Sequence, residues 1–282
     1  MAEDNQADYG INAPESRTYI WRGSTFASTF PDRTAARDAH FLLPHLRPSM
    51  RVLDCGCGPG SITVGLADAV RPGEVVGIDM QAAEIARARA LAGNLTVENV
   101  RFEVASVYQL PFDDASFDAV FAHGVLMHLH DPVRALREMR RVLRPPDIVG
   151  IRDFELVGVK TPSTPVLERI DELWRRTLEH GGINPVFARH QRWALCQAGF
   201  ARTEALVDIR YAGSAEGTQR AAAQMLDRFQ HAVVPTALEQ GWITEGEGAA
   251  LCAELLAWGE RSDALAYGCG YSALAWLEDD GH

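Results

Sequence analysis

The chain has 282 residues, 47% of them hydrophobic, and a formal net charge of -11, which suits one large globular domain with a sizeable cap. The acidic balance argues against a nucleic-acid or anionic-membrane partner, because affinity for phosphate rests on clustered Lys and Arg, and the only lysine is Lys160. Residues 1–6 lack the basic start and apolar core of a signal peptide, no apolar run approaches the ~20 residues that cross a bilayer, and the five cysteines read as reduced thiols. The expected compartment is the cytoplasm.

Taken in chain order, residues 1–17 are polar and mixed. Tyr19-Ile20-Trp21-Arg22, Phe26 and Phe30 are too aromatic for a linker; they either pack as a small helix or form a flap, with Tyr19 and Trp21 as walls of a substrate pocket. A helix is expected from Arg33 to Leu46, with Phe41, Leu42 and Leu46 on one face. The stretch Val52-Leu53-Asp54-Cys55-Gly56-Cys57-Gly58-Pro59-Gly60 then organises the chain. An apolar run closing on an acid, three glycines at alternate positions, a helical run and a second apolar run ending in Asp79 describe one βαβ unit with a binding turn. Asp79 lies where such sheets bind ribose, and its carboxylate can accept both hydroxyls.

The glycine spacing is G-x-G-x-G. A dinucleotide fingerprint would place its third glycine at position 61, which is Ser61. Cys55 and Cys57 form a C-x-C pair with no second Cys or His pair at zinc spacing, so they read as small residues inside a tight turn and no metal is expected. The next helix carries Ile85, Ala88 and Leu91, and Val100 to Val104 is a third strand, followed by Ala105-Ser106. A fourth strand is expected to end near Ala122, with His123 just past it. Asp131 as N-cap and Pro132 as first residue open a further helix. Arg144-Pro145-Pro146-Asp147 precedes a fifth strand, Ile148 to Asp153. A capped helix begins at Thr164-Pro165, with Leu167, Ile170, Trp174 and Leu178 on one stripe. Val186 to Ala198 is expected as a crossover helix, Thr203 to Tyr211 as the sixth strand, a helix opened by the capping box Thr244-x-x-Glu247, and an alternating strand from Leu265 to Ser272.

The turn with Asp54 ahead of it resembles motif I of the class I S-adenosylmethionine (SAM) dependent methyltransferases. Leu110-Pro111-Phe112-Asp113-Asp114 through Val120, and His123 to Pro132, are also similar to that family, most nearly to enzymes of the ubiquinone and menaquinone biosynthesis type. The resemblance covers about residues 46 to 153. It implies an α/β fold with a Rossmann-like, seven-stranded methyltransferase sheet, mostly parallel with the last strand antiparallel, and helical cap insertions. The expected organisation is an N-terminal helical flap over 1–45 and a methyltransferase domain over 46–282, with a lid insertion at 155–184 and a helical insertion at 215–262.

By the same resemblance the cofactor is SAM, with S-adenosylhomocysteine (SAH) as product. Gly56, Cys57, Gly58 and Ala122 would meet its methionine end, Asp79 its ribose, and Met80, Ser106 and Val107 its adenine; Asp54 would act through charge or a water. The family usually has Gly-Asp where this chain has Ala105-Ser106, and a neutral hydroxyl is the weaker acceptor. Methyl transfer needs alignment and exclusion of water, and a base only if the nucleophile must lose a proton. His123 is the first candidate for that base, with Asp153 and Glu155 next; His123 reads equally as a pocket-wall residue. Tyr19, Trp21, Phe154 and Trp174 would line a pocket for a small, apolar or aromatic metabolite. A rival reading is a SAM-binding protein of the same fold that catalyses a cyclisation or other non-methylating transformation. A homodimer is left open.

Overall fold

The computed structural model describes residues 33–277, so Tyr19 and Trp21 lie outside the described residues. Two compact units are present: one holds 33–153, Phe187–Val207 and 271–277, the other Phe154–Val186 and Asp208–Gly270.

The first unit is a layered α/β structure. Its strands β1 (Arg51–Cys55), β2 (Glu74–Asp79), β3 (Val100–Val104) and β4 (Phe117–His123) are parallel neighbours in the order β3-β2-β1-β4, continued by β5 (Leu143–Phe154). The middle strands read as near-continuous apolar runs because helices cover both faces of such a sheet. The covering helices are α2 (Thr63–Val70), α3 (Ala82–Asn94) and α4 (Pro132–Val142), preceded by a single turn, α1 (Ala35–Asp38). In α2 the buried positions are Thr63, Leu66, Ala67 and Val70, spaced three and four apart as one helix face requires. Leu66, Ala67 and Val70 join Phe41, Leu42, Val52, Phe121 and Ile148 in one core cluster, while Ile85, Ala88, Ala92 and Phe102 form another.

The expected helix from Arg33 to Leu46 is broken. Among these residues only α1 and a 3₁₀ turn, Leu43–His45, are helical: the backbone leaves helical geometry at Ala39, φ -121° and ψ 14°, and Pro44 has no N–H with which to continue an α-helical ladder. Strand five starts at Leu143 instead of Ile148. Between the pairs Phe117↔Leu143 and Ala119↔Ile148, β4 advances two residues and β5 five, so the proline-bearing stretch is accommodated as an irregularity in the ladder. The crossover helix expected from Val186 starts later: Phe187–His190 is 3₁₀, and α6 is Gln191–Gln197.

Strands β7 (Arg202–Ala212) and β8 (Leu265–Trp276) pair with each other. An additional short strand, β6 (Val159–Thr161), runs antiparallel to the start of β8, with Val159 opposite Tyr267. The sheet therefore has eight strands, one more than expected, because three residues are too few to show a period of two.

The second unit is mainly helical. It contains α5 (Pro165–His180), α7 (Ala215–Arg228), a π turn at Phe229–Val233, α8 (Val234–Glu239) and α9 (Glu245–Gly259). Thr164 accepts the Leu167 N–H at 3.2 Å and Thr244 that of Glu247 at 3.3 Å, fixing the starts of α5 and α9. Leu167, Ile170, Leu173, Phe229, Leu255 and Trp258 make its core. The Trp258 indole donates to the Thr161 carbonyl at 3.3 Å, and buried Lys160 pairs with Asp171. Among the described residues, no helix is long and apolar enough to cross a membrane.

Candidate functional site

The site grows out of the turn after β1. Register sets Cys55 opposite Ile78, and one step further the N–H groups of Gly56 and Cys57 both donate to the Ile78 carbonyl, at 2.8 and 2.9 Å. The turn is thereby tied to the end of β2. Gly56 has φ +73°, and a Cβ there would lie 2.4 Å from Val125 Cγ2, so only glycine fits. Gly58, at φ +53°, differs: a Cβ would meet no atom within 4 Å. Its N–H donates to Asp79 Oδ2 at 3.0 Å, and Gln81 N–H donates to Oδ1 at 2.9 Å. An open space thus lies beside a carboxylate whose orientation is fixed from two sides.

Behind the turn, buried Asp54 accepts the Thr63 hydroxyl at 2.6 Å. Burial, together with the Asp79 charge and against the Thr63 bond, pushes its carboxyl up to about 7. Burial also raises Asp79, against N–H bonds from Gln81, Gly58 and Met80. Two carboxylates held near one desolvated turn favour a cationic ligand, which would relieve both. Burial raises the Cys55 and Cys57 thiols, leaving them protonated and unlike metal ligands. No group of three His, Cys, Asp or Glu placed to hold a metal occurs among the described residues.

The remaining turns follow at the carboxyl ends of the neighbouring strands. Ala105 N–H donates to the Asp79 carbonyl at 3.1 Å, which sets Ser106 and half-buried Val107 next to Met80, whose side chain is 70% exposed. Ala122 is buried and opposite Cys55. Asp54, Gly56, Cys57, Gly58, Asp79, Met80, Ser106, Val107 and Ala122 are therefore brought to one end of four adjacent strands.

The three base candidates are placed differently. His123 is buried, with Nε2 3.7 Å from Asp38 Oδ1, and burial lowers it to about 4, the Asp38 contact opposing and the Arg33 and Arg152 charges reinforcing the shift. Asp153 is buried too, raised to about 7 by burial against bonds from the Gln191 side chain and the N–H groups of Val125, Met127 and Leu126. Glu155 belongs to the helical unit, where its N–H donates to the Cys269 carbonyl at 3.1 Å. Phe154 lies in that unit under the Arg210 guanidinium, 4.8 Å from the ring centre, and Trp174 packs at the edge of its apolar cluster. Asp38, Thr63 and Gln191 escaped the sequence reading. Thr63 alone had a signal, a hydroxyl at the start of the helix after the glycines.

A family model described as a methyltransferase domain matches residues 46–190. The chain belongs to that family. An uncharacterised methyltransferase of Schizosaccharomyces pombe is 36% identical over 195 residues, 66% of this chain and 70% of its own length. The 27-O-demethylrifamycin SV methyltransferase of Amycolatopsis mediterranei is 37% identical over 133 residues, 47% of this chain and 48% of that one. The chain thus spans about half the length of the second relative. Among solved structures, a Haemonchus contortus phosphoethanolamine N-methyltransferase bound to SAH shares the fold, with a TM-score of 0.54 at 16% identity over 86% of this chain and 53% of that one.

The protein is a SAM-dependent methyltransferase. SAM suits the residues present. Its positive charge would relieve the two desolvated carboxylates beside this turn, and the space that a Cβ at Gly58 would take is open.

Proposed function

We propose that this methyltransferase methylates a small, apolar or aromatic natural product, at a hydroxyl group. The observation that carries the reading is the turn itself: Gly58 with free space on its Cβ side and its N–H on Asp79. Support for the acceptor comes from the rifamycin-directed relative, whose name specifies an oxygen, and from the likeness of His123 to Pro132 to quinone-biosynthesis enzymes, whose acceptors carry rings.

In this reading the Gly56, Cys57 and Gly58 backbone and Ala122 receive the methionine end, with Asp54 compensating its ammonium. Asp79 accepts the ribose hydroxyls. Met80 covers one adenine face while Ser106 and Val107 meet its edge. SAM supplies an electrophilic methyl group on sulfur, and the chain's work is to align the acceptor oxygen and exclude water. Proton removal from the acceptor is assigned to His123, at the end of β4, where Asp38 lies 3.7 Å from Nε2 and offsets part of the burial and arginine charge that disfavour an imidazolium. Asp153, bonded to the loop after β4 and to Gln191, is assigned to holding that loop in place. Glu155 remains the alternative base if His123 proves dispensable. Phe154 and Trp174 are assigned to acceptor selection.

Incubation with methyl-labelled SAM and a panel of phenols, polyketides and quinols tests the reading. A product heavier by one labelled methyl on oxygen supports it. Methylation confined to amines would overturn the acceptor assignment, and acceptor conversion without added methyl mass would favour the non-methylating chemistry.

A further inference from the structure

The segment after β3 meets the start of α4 through a side chain that no part of the methyl-transfer reading uses. Tyr108 shares a 2.8 Å hydrogen bond between its hydroxyl and His130 Nδ1, and the same hydroxyl accepts the Asp131 N–H at 3.2 Å. Asp131 is the N-cap of α4. A hydroxyl that accepts from Asp131 has its own proton to give to His130. The Tyr108 and His130 rings lie 4.6 Å apart, and the Arg134 guanidinium stands 5.2 Å from the Tyr108 ring centre. The ring and the polar end of this tyrosine are therefore both engaged.

At its other end Tyr108 is joined to Ser106, whose hydroxyl accepts the Tyr108 N–H at 3.2 Å. That bond takes one of the two lone pairs of Oγ and leaves the other lone pair and the proton. The segment is pinned elsewhere as well. Ala105 N–H reaches the Asp79 carbonyl, Leu110 N–H donates to Glu138 at 3.0 Å, and Arg141 donates to the carbonyls of Leu110 and Phe112 at 3.0 and 2.8 Å. Between these clamps, among the described residues, Tyr108 and the Ser106–Gln109 bridge hold the residues at the cofactor end of the sheet.

We propose that Tyr108 is a positioning residue for the cofactor: its tie to His130 and Asp131 presents the Ser106 hydroxyl to the adenine amino group. The inference rests on the assignment of Ser106 to adenine. The physical reason is preorganisation. A neutral hydroxyl accepts more weakly than a carboxylate, and a weak acceptor contributes affinity only if little order has to be created on binding. Tyr108 supplies that order in advance.

The test is a double-mutant cycle on the full chain, with dissociation constants for SAH and for S-inosylhomocysteine, which has an oxo group in place of the adenine amine. Ser106→Ala and Tyr108→Phe are each expected to weaken SAH about three- to tenfold, to erase the preference for SAH over the inosine analogue, and to combine with less than the product of their single effects. His130→Asn, which keeps an acceptor where Nδ1 stood, binds like the native chain, whereas His130→Leu behaves like Tyr108→Phe. Native SAH affinity in Tyr108→Phe and His130→Leu, with Ser106→Ala weakened, overturns the positioning role and leaves the adenine assignment standing. Native affinity in Ser106→Ala overturns both. Fully multiplicative losses would show that Tyr108 acts independently of Ser106, against the proposal.

Discussion

The sheet unit and the helical unit are specified by different kinds of constraint. In the sheet unit, position by position, the backbone leaves little choice: Gly56 tolerates no Cβ beside Val125, and the Cys55–Ile78 register delivers two N–H groups to one carbonyl. In the helical unit, Leu167, Ile170, Phe229, Leu255 and Trp258 surround one another, and many apolar sets of similar volume would fold equally well. A site built from backbone leaves a short, strict pattern in the sequence. One built from packed side chains leaves only amphipathic helices, which many chemistries share.

The largest expected effect breaks the helical unit while sparing the cofactor. Trp258→Ala empties the centre of its core and removes the bond to Thr161, which should cost about 3–5 kcal/mol in denaturant unfolding. SAH affinity of the native fraction should stay unchanged, and a loss of affinity would show that the two regions are energetically one.

An effect of comparable total size, spread over about three pH units, belongs to the sheet unit and is read in pH. The folded Asp54 carboxyl lies near 7 against a usual 3.8, so between about pH 4 and 7 the unfolded chain has released a proton that the folded chain retains. Stability from this group is complete below about pH 4 and is lost as pH rises towards 7, by about 1.4 kcal/mol per pH unit at the steepest. Asp54→Asn keeps an acceptor for Thr63 and should flatten the decline by that amount. An identical decline in native and variant would remove Asp54 as its source.

The smallest expected effect concerns the acceptor. Trp174→Ala should raise the acceptor Michaelis constant about tenfold, the cost of losing part of one aromatic contact, with SAH affinity native. An unchanged constant would remove Trp174 from acceptor selection.

Legibility followed the same division. The βαβ unit from Val52 to Asp79, its glycine turn, the Asp131–Pro132 helix start and the caps at Thr164 and Thr244 were readable because each rests on local backbone chemistry. Strand β6 was too short to show a period, and the prolines at 145 and 146 suggested a turn where the chain keeps a strand with an irregular ladder. Buried partners separated in sequence left no trace. Asp38 beside His123 and Gln191 on Asp153 are joined only by tertiary packing, and Tyr108 reaches His130 across 22 residues. Trp174 was placed on the buried stripe of α5, but Leu173 and Thr177 occupy that face and the indole sits at its margin.

The central claim is that the turn at Gly58 and the acid at Asp79 hold the cofactor. Calorimetric titration of SAH into the native chain and into Asp79→Ala tests it most directly. The account predicts native binding near the micromolar level, about -8 kcal/mol, and a loss of about 100-fold in the variant, from two hydrogen bonds to a charged acceptor. Equal affinity in the two proteins would contradict it.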